Sequence, residues 1–296
     1  MHVSIFGSAD SVDGLRTDVE AAATAGFTSF WTPQIFAIDA LTSLAVISRD
    51  VPEIRLGTAV VPTYPRHPMA LAQQALTVNQ VSDGRLELGV GLSHKPVVEG
   101  MWGLDFGRPV KHMSDYLKVL MPLLHGEAVS HGGEKVTGRG ELGVKAAAPP
   151  VYVAALGEQM LKLAGKFTDG TITWMTGPAT IAELTAPTIV AAAEAAGRKT
   201  PQVIAAVPVC VTSDVEATRA RAAKEYVIYG QLPSYRAMLD REGLAGPEDL
   251  ALIGTPDDIA AGMQRFADAG ATSVVANPFG SSAEIAASRD AVAALL

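Results

Sequence analysis

His94 is the residue whose type and position best suit chemistry. It stands just beyond an apolar run, Arg85–Gly91, in the sequence Gly91-Leu92-Ser93-His94. An unperturbed imidazole exchanges its proton between about pH 5 and 8, the range a general acid or base requires. A helix-capping or purely structural histidine is the other reading of this residue. Glu99 and Trp102 follow in the same stretch and are candidates to line one pocket with it, although Glu99 would equally anchor its loop through a salt bridge. The remaining reactive types read more plainly. His67, between Arg66 and Pro68 at a helix start, suits capping. Cys210, the single cysteine, sits among Val207, Val209 and Val211 and reads as a small core residue. The six histidines are scattered, only His125 and His131 lying near each other, so no three or four metal ligands are expected to converge. No dinucleotide-binding G-x-G-x-x-G, Walker loop, H-E-x-x-H or G-x-S-x-G is present.

The elements around His94 explain why its position matters. Ile54–Pro62 and Arg85–Gly91 are near-continuous apolar runs, and a helix-like segment from His67 to about Val81 separates them. Strand, helix and strand in that order make a parallel pair, which needs a crossover helix and is buried on both faces. Barrel enzymes keep their chemistry just after such strands, so positions 59–63 and 91–95 are the informative ones. Six further strands fit the same alternation: His2–Gly7, Phe27–Trp31, Val151–Ala155, Gly170–Trp174, Gln202–Val211 and Ala271–Ala276. Amphipathic helices follow them, with one over Pro178–Ala196 and others over about 214–230, 233–242 and 282–295. Thr255-Pro256-Asp257-Asp258 is a clear helix start, with a capping threonine, a preorganised proline and two carboxylates at the positive end. The expectation is one α/β domain over 1–296, a (β/α)8 TIM barrel. Its extra material lies at 92–111 after strand four and in a Gly-rich, polar hairpin at about 126–149. A doubly wound open sheet is the competing arrangement.

Composition narrows the function. The chain has 296 residues, 48% of them hydrophobic and 18% charged, enough for a large core. A net charge of −8 argues against a nucleic-acid partner, which needs a basic stripe. No apolar run reaches the roughly 18–20 residues of a membrane span. No signal peptide is visible at Met1–Phe6, and one cysteine suits a reducing compartment. A cytoplasmic protein is expected.

The run LGTAVVPTYPRHPMALAQQALTVNQVSDGRLELGVGLSH resembles the signature of the bacterial luciferase-like family, in its branch of coenzyme F420-dependent oxidoreductases. Four further stretches agree: FWTPQIFAIDALTSLAVIS, HKPVVEGMWGLDFGRPVKHMSDYL, PPVYVAALGEQMLKLAGKFTDGTITW and IGTPDDIAAGMQRFADAGATSVV. The likeness covers nearly the whole chain and is weakest over 197–250. It implies a luciferase-like barrel with a deazaflavin or flavin ring at the C-terminal mouth, backed by a non-proline cis peptide at Ala59-Val60. It also implies that Gln34 and the tip Gly91, Leu92 and Ser93 adjoin the cofactor. The loop Ala155-Leu156-Gly157-Glu158-Gln159 would hold the phosphate side, where glycine lets the backbone approach and free N–H groups attract an anion. Thr176-Gly177 offers a second helix start of that kind. Trp31 and Trp174, with Glu99 and Trp102, are candidates for the substrate pocket, Trp31 with packing as its plainer role. Tyr226, Tyr229 and Tyr235 would line that pocket or simply pack. Lys135, Arg139 and Lys145 on the hairpin would meet the anionic tail of F420, or form a solvated charged hairpin.

The sequence departs from the branch's sugar-phosphate dehydrogenases, which carry an Asp-His pair where this chain has Gln34-Ile35. Glutamine cannot move a proton. The expected function is F420-dependent hydride transfer to or from a small organic substrate, with His94 as the catalytic candidate. An FMN-dependent monooxygenase is the alternative cofactor reading, and a non-catalytic flavin-binding relative the third. The family also implies a homodimer.

Overall fold

A computed structural model describes residues 2–296. Its strands are β1 His2–Phe6, β2 Ser29–Thr32, β3 Arg55–Thr58, β4 Val61–Pro62, β5 Leu86–Gly91, β6 Val129–Gly132, β7 Thr137–Gly140, β8 Val151–Val153, β9 Gly170–Trp174, β10 Gln202–Val211, β11 Leu252–Gly254 and β12 Ser273–Pro278. Parallel pairing runs β1-β2-β3-β5-β8-β9-β10-β12 and returns to β1. The sheet is therefore an eight-stranded closed barrel, not an open one. The short β4 continues β3 past an irregularity.

Strand alternation sorts side chains into two layers. Ile5, Phe30, Leu56, Leu88, Val90 and Val151 face outward into the main apolar cluster under the helices. Their neighbours Trp31, Tyr152, Ile172, Ile204, Ala206 and Val275 fill the barrel interior. Burying each large apolar side chain contributes about 1.5–3 kcal/mol. Between the strands run α1 Val12–Thr24, α2 Ala40–Asp50, α3 Pro68–Val81, α4 Pro109–Leu124, α5 Glu158–Phe167, α6 Pro178–Thr180, α7 Ala186–Ala195, α8 Val215–Glu225, α9 Val227–Gln231, α10 Pro233–Glu242, α11 Pro256–Asp268 and α12 Ser282–Ala293. No helix among them is long and apolar enough to cross a membrane.

Three local features depart from the sequence expectation. The helix expected over 178–196 is interrupted by a π-turn at Ile181–Thr185, between α6 and α7. Pro187 explains it, since proline has no N–H to return to the preceding turn. A second π-turn, Pro96–Met101, follows β5. The strand β11 was not expected; it pairs with the last three residues of β10, from Val209↔Leu252 to Val211↔Gly254.

The inserted hairpin is narrower than expected: β6 and β7 span 129–140, and 141–150 return without regular structure. It is tied to α4 by Asp115, whose side chain is fully buried. One carboxylate oxygen accepts from Lys111 Nζ at 2.9 Å and faces His131 Nε2 at 3.1 Å, and the other accepts from the Lys135 N–H at 3.0 Å. Burial alone would raise its pKa, but these hydrogen bonds outweigh it and hold the group at about 2.

Candidate functional site

The floor of the barrel mouth is made where β3 breaks. Gly57 pairs with Glu87, yet Val61 pairs with Val90, so three residues of one strand face two of the other, a bulge. The Thr58 hydroxyl bridges the gap: it accepts from the Gly89 N–H and donates to the Gly89 carbonyl, both at 2.9 Å. The peptide Ala59–Val60 is cis, and both residues are half-buried against the interior cluster. Two glycines of β5 admit this chain path. A Cβ at Gly89 would lie 2.0 Å from the Thr58 carbonyl oxygen, and one at Gly91 2.6 Å from Val60 Cγ2. The floor is thus apolar and shaped by backbone.

From the end of β5 the chain turns through Ser93, at a left-handed φ of 63°, and delivers His94 to the rim. The His94 carbonyl accepts from the N–H groups of Val97 and Val98 and so starts the π-turn. Its imidazole has no hydrogen-bond partner among the described residues and stands edge-on to Tyr235, ring centroids 5.8 Å apart. Burial lowers its pKa below the ordinary value, so the ring is neutral at pH 7. Tyr235 contacts Tyr229 at 4.9 Å, Tyr229 contacts Trp174 at 6.0 Å, and Trp174 stacks on Phe6 at 6.4 Å. These contacts form a continuous aromatic wall from the end of β5, over α10 and α9, to the ends of β9 and β1. Burial raises the phenol pKa of Tyr229 and Tyr235, with the nearby Trp174 N–H partly offsetting the rise at Tyr229. The Trp174 Nε1 is buried and makes no hydrogen bond of good geometry.

Two helix starts were expected to receive an anion, and the structure leaves one of them open. At α5, Gly157 is exposed, nothing lies within 4 Å of where its Cβ would stand, and no side chain caps the helix. Glu158 turns away to Lys162 at 2.6 Å, and Gln159 is exposed. Ala155 and Leu156 leave the strand end, Ala155 buried in the outer core. At Gly177 the start is already filled. The Glu242 carboxylate, from the end of α10, accepts from the N–H groups of Ala179 at 3.3 Å and Thr180 at 2.5 Å. Thr176 is buried, its hydroxyl turned back to the Trp174 carbonyl at 3.3 Å.

Other expected site residues are used elsewhere. Trp31 is 2% exposed, fills the space above Gly57 and meets Tyr152 edge-on; it packs beneath the floor rather than lining the mouth. Gln34 Oε1 accepts from the Ala40 N–H at 2.7 Å and caps α2. Glu99 lies exposed on the π-turn, 3.8 Å from Lys95, and Trp102 ends that turn half-buried. Leu92 packs against the outer core. Lys135 pairs with Asp105 at 2.6 Å, while Lys145 lines a recess of about 450 Å³ with Leu124 and His125. Of the three hairpin cations, Lys135 is thus already neutralised by a carboxylate. His67 caps α3 through Nδ1 and reaches the Thr137 carbonyl through Nε2. Cys210 is fully buried, and desolvation, with Glu284 nearby, raises its thiol to about 11. Among the described residues no cluster of His, Cys, Asp or Glu could hold a metal ion.

Sequence reasoning missed Phe6, Thr58, Gly89 and Glu242. The glycines at 57, 89 and 91 were the one available signal of close backbone approach. A flavin-type group fits what is present: an apolar floor, a neutral imidazole at the rim and one open helix start for an anion.

Comparison with known proteins agrees with this geometry. The sequence model of the luciferase-like monooxygenase family matches residues 3–273. The 5,10-methylenetetrahydromethanopterin reductase of Methanolobus tindarius is 27% identical over 310 residues, covering 94% of each chain. A Mycobacterium tuberculosis protein described as a coenzyme F420-dependent oxidoreductase is 34% identical over 167 residues, 51% of this chain and 48% of its own. The fold superimposes on the coenzyme F420 dependent tetrahydromethanopterin reductase from Methanopyrus kandleri with a TM-score of 0.81. That match has 21% identity and covers 99% of this chain and 98% of the other.

Proposed function

This chain belongs to the luciferase-like monooxygenase family, and on that premise we propose that it is a coenzyme F420-dependent oxidoreductase acting on a small organic substrate. The observation that carries the reading is the mouth: an apolar floor at Ala59, Val60 and Gly91 beside an uncapped helix start at Gly157. The similarity to reductases across nearly the whole chain supports the same choice. Bound there, a deazaflavin would supply two-electron hydride chemistry.

The residues of the chain would then do four things. Ala59 and Val60 support one ring face, and Gly91 keeps that surface free of a Cβ. The N–H groups of Glu158 and Gln159 receive an anionic group at the helix start. His94, neutral and without a ring partner, holds or delivers a proton at its imidazole nitrogen. The wall from His94 to Phe6 excludes water from the space above the floor.

A fluorescence-quench titration with F420 and, separately, FMN tests the cofactor. Micromolar binding of F420 without FMN supports the proposal. The family's monooxygenase members favour FMN as the second reading, and the reverse preference would establish it. A homodimer and a cytoplasmic location belong to the same proposal; sedimentation equilibrium tests the first and cell fractionation the second.

A further inference from the structure

Beyond β7 the chain follows the pattern of a strand without having a partner. Residues 141–148 alternate exposed and half-buried, the period of two of a β-strand. Leu142, Val144, Ala146 and Ala148 lie against the outer core, while Glu141, Gly143, Lys145 and Ala147 are exposed. Among the described residues no backbone N–H or carbonyl of 141–146 has a hydrogen-bond partner. The Ala147 carbonyl is the first to find one, accepting from Asn79 Nδ2 at 2.8 Å. The recess of about 450 Å³ opens beside this stretch, lined by 142–148 and by Leu124, His125 and Gly126. Nothing lies within 4 Å of where a Gly143 Cβ would stand, so a second backbone can approach there. Pro149 and Pro150 end the edge, since proline has no N–H to pair.

An unpaired edge is a template for another strand, and the charges here select which one. Glu141 and Lys145 are the only charged residues of 140–150. The ion pairs of the hairpin belong to Glu134, His131 and Lys135, and neither Glu141 nor Lys145 joins one. The two stand at equal distance on either side of Gly143. In an antiparallel pair with a second copy centred on that glycine, Glu141 lies opposite the partner's Lys145, and Lys145 opposite the partner's Glu141. Both pairs share one face at the spacing where opposite charges attract. A parallel in-register pair would set like charges against each other, as would an antiparallel pair centred on residue 141 or 145.

We infer that 141–148 is a self-pairing edge, through which two copies of this chain join by antiparallel strand addition about Gly143. The inference rests on the homodimer reading, whose surface it names, and not on the cofactor. The test combines sedimentation of Glu141→Lys, Lys145→Glu and the double exchange with oxidative cross-linking of Gly143→Cys and Ala147→Cys. Opposed Cα atoms in an antiparallel pair are about 4.5–5.5 Å apart, within a disulfide's reach, whereas the two residues 147 would stand roughly 26 Å apart. Cys210 is buried and does not compete. Each single exchange should weaken self-association about tenfold, and the double exchange should restore it. Oxidised Gly143→Cys should run as a linked dimer, and Ala147→Cys should not. Single exchanges that associate like the original chain, a double exchange no better than the singles, or cross-linking absent at 143 or equal at 147 overturns the inference. A dimer that survives in every variant keeps the homodimer and removes this surface from it, whereas a monomeric original chain overturns both.

Discussion

The imidazole of His94 stands edge-on to the ring of Tyr235, centroids 5.8 Å apart, although 141 positions separate the two residues in the chain. The contact joins the tip of β5 to α10 and shields the histidine ring at the rim. Burial is the sole cause of the lowered His94 pKa, so removing the shield should raise it. In Tyr235→Ala the His94 pKa, followed by NMR, should move up toward the usual 6.5, and the acid limb of any pH–rate profile should move up with it. An unmoved His94 titration would show that Tyr235 does not set it.

Substitution of His94 separates proton handling from binding. His94→Ala should lower kcat about 10²–10⁴-fold, the range typical of a lost general acid or base, with a smaller change in F420 affinity. Equal losses in both, measured by steady-state kinetics and cofactor titration, would make His94 a positioning residue instead.

Glu242→Gln should loosen α9 and α10 without unfolding the barrel. The carboxylate caps a helix start, and a charged cap contributes on the order of 1–2 kcal/mol. Faster hydrogen exchange over 227–242, with exchange in β1 to β5 unchanged, is the expected signature. Uniform exchange changes would place the contact's effect in the whole fold.

Gly89→Ala should destabilise by about 1–3 kcal/mol or more, because its Cβ would meet the Thr58 backbone oxygen and not a side chain that can swing away. Gly143→Ala, where nothing lies within 4 Å, should stay within about 0.5 kcal/mol. Urea unfolding of the pair measures the difference.

Acid should destabilise the protein in two stages. His112 is 7% exposed, meets Thr63 Oγ1 at 3.0 Å and stacks on Tyr64 at 3.9 Å. Desolvation, with Lys135 adding to it, lowers its pKa to about 4. The unfolded chain takes up this proton near pH 6.5 while the folded one refuses it. Stability should therefore fall between pH 6.5 and 4, by on the order of 3 kcal/mol. Asp115 then loses its contribution as pH falls from about 4 toward 2. In His112→Gln, urea midpoints should fall much less steeply across the upper window, the remainder coming from His94.

Strand–helix alternation and His94 at a strand tip were legible because each is written in neighbouring residues, whereas the interruption of the third strand at Ala59-Val60 came only from the family likeness. Apolar runs, prolines and glycines report the local backbone directly. The wall was legible only in part: Trp174, Tyr229 and Tyr235 stood out as pocket candidates, but nothing local joins them to one another or to His94. Tyr229 and Tyr235 lie in the stretch where the family likeness is weakest, and the short α9 has no buried residue to mark it. Glu242 caps a helix that begins 64 residues earlier, a pairing no local pattern encodes. Trp31 carried two readings because the end of a short strand looks the same whether its side chain packs below the floor or above it, and the structure settles on packing.

The pairing of β10 with β11 places the two ends of the excursion 212–251 side by side, with the Thr212 N–H bonded to the Gly254 carbonyl at 2.9 Å. The chain leaves and re-enters the barrel through one doorway, so everything between is a cassette. Its length and content can change while the eight-stranded frame keeps its registers, and with them the interrupted strand at Ala59-Val60. A foreign 212–251 segment grafted across that doorway would carry another protein's loops onto the mouth of this barrel.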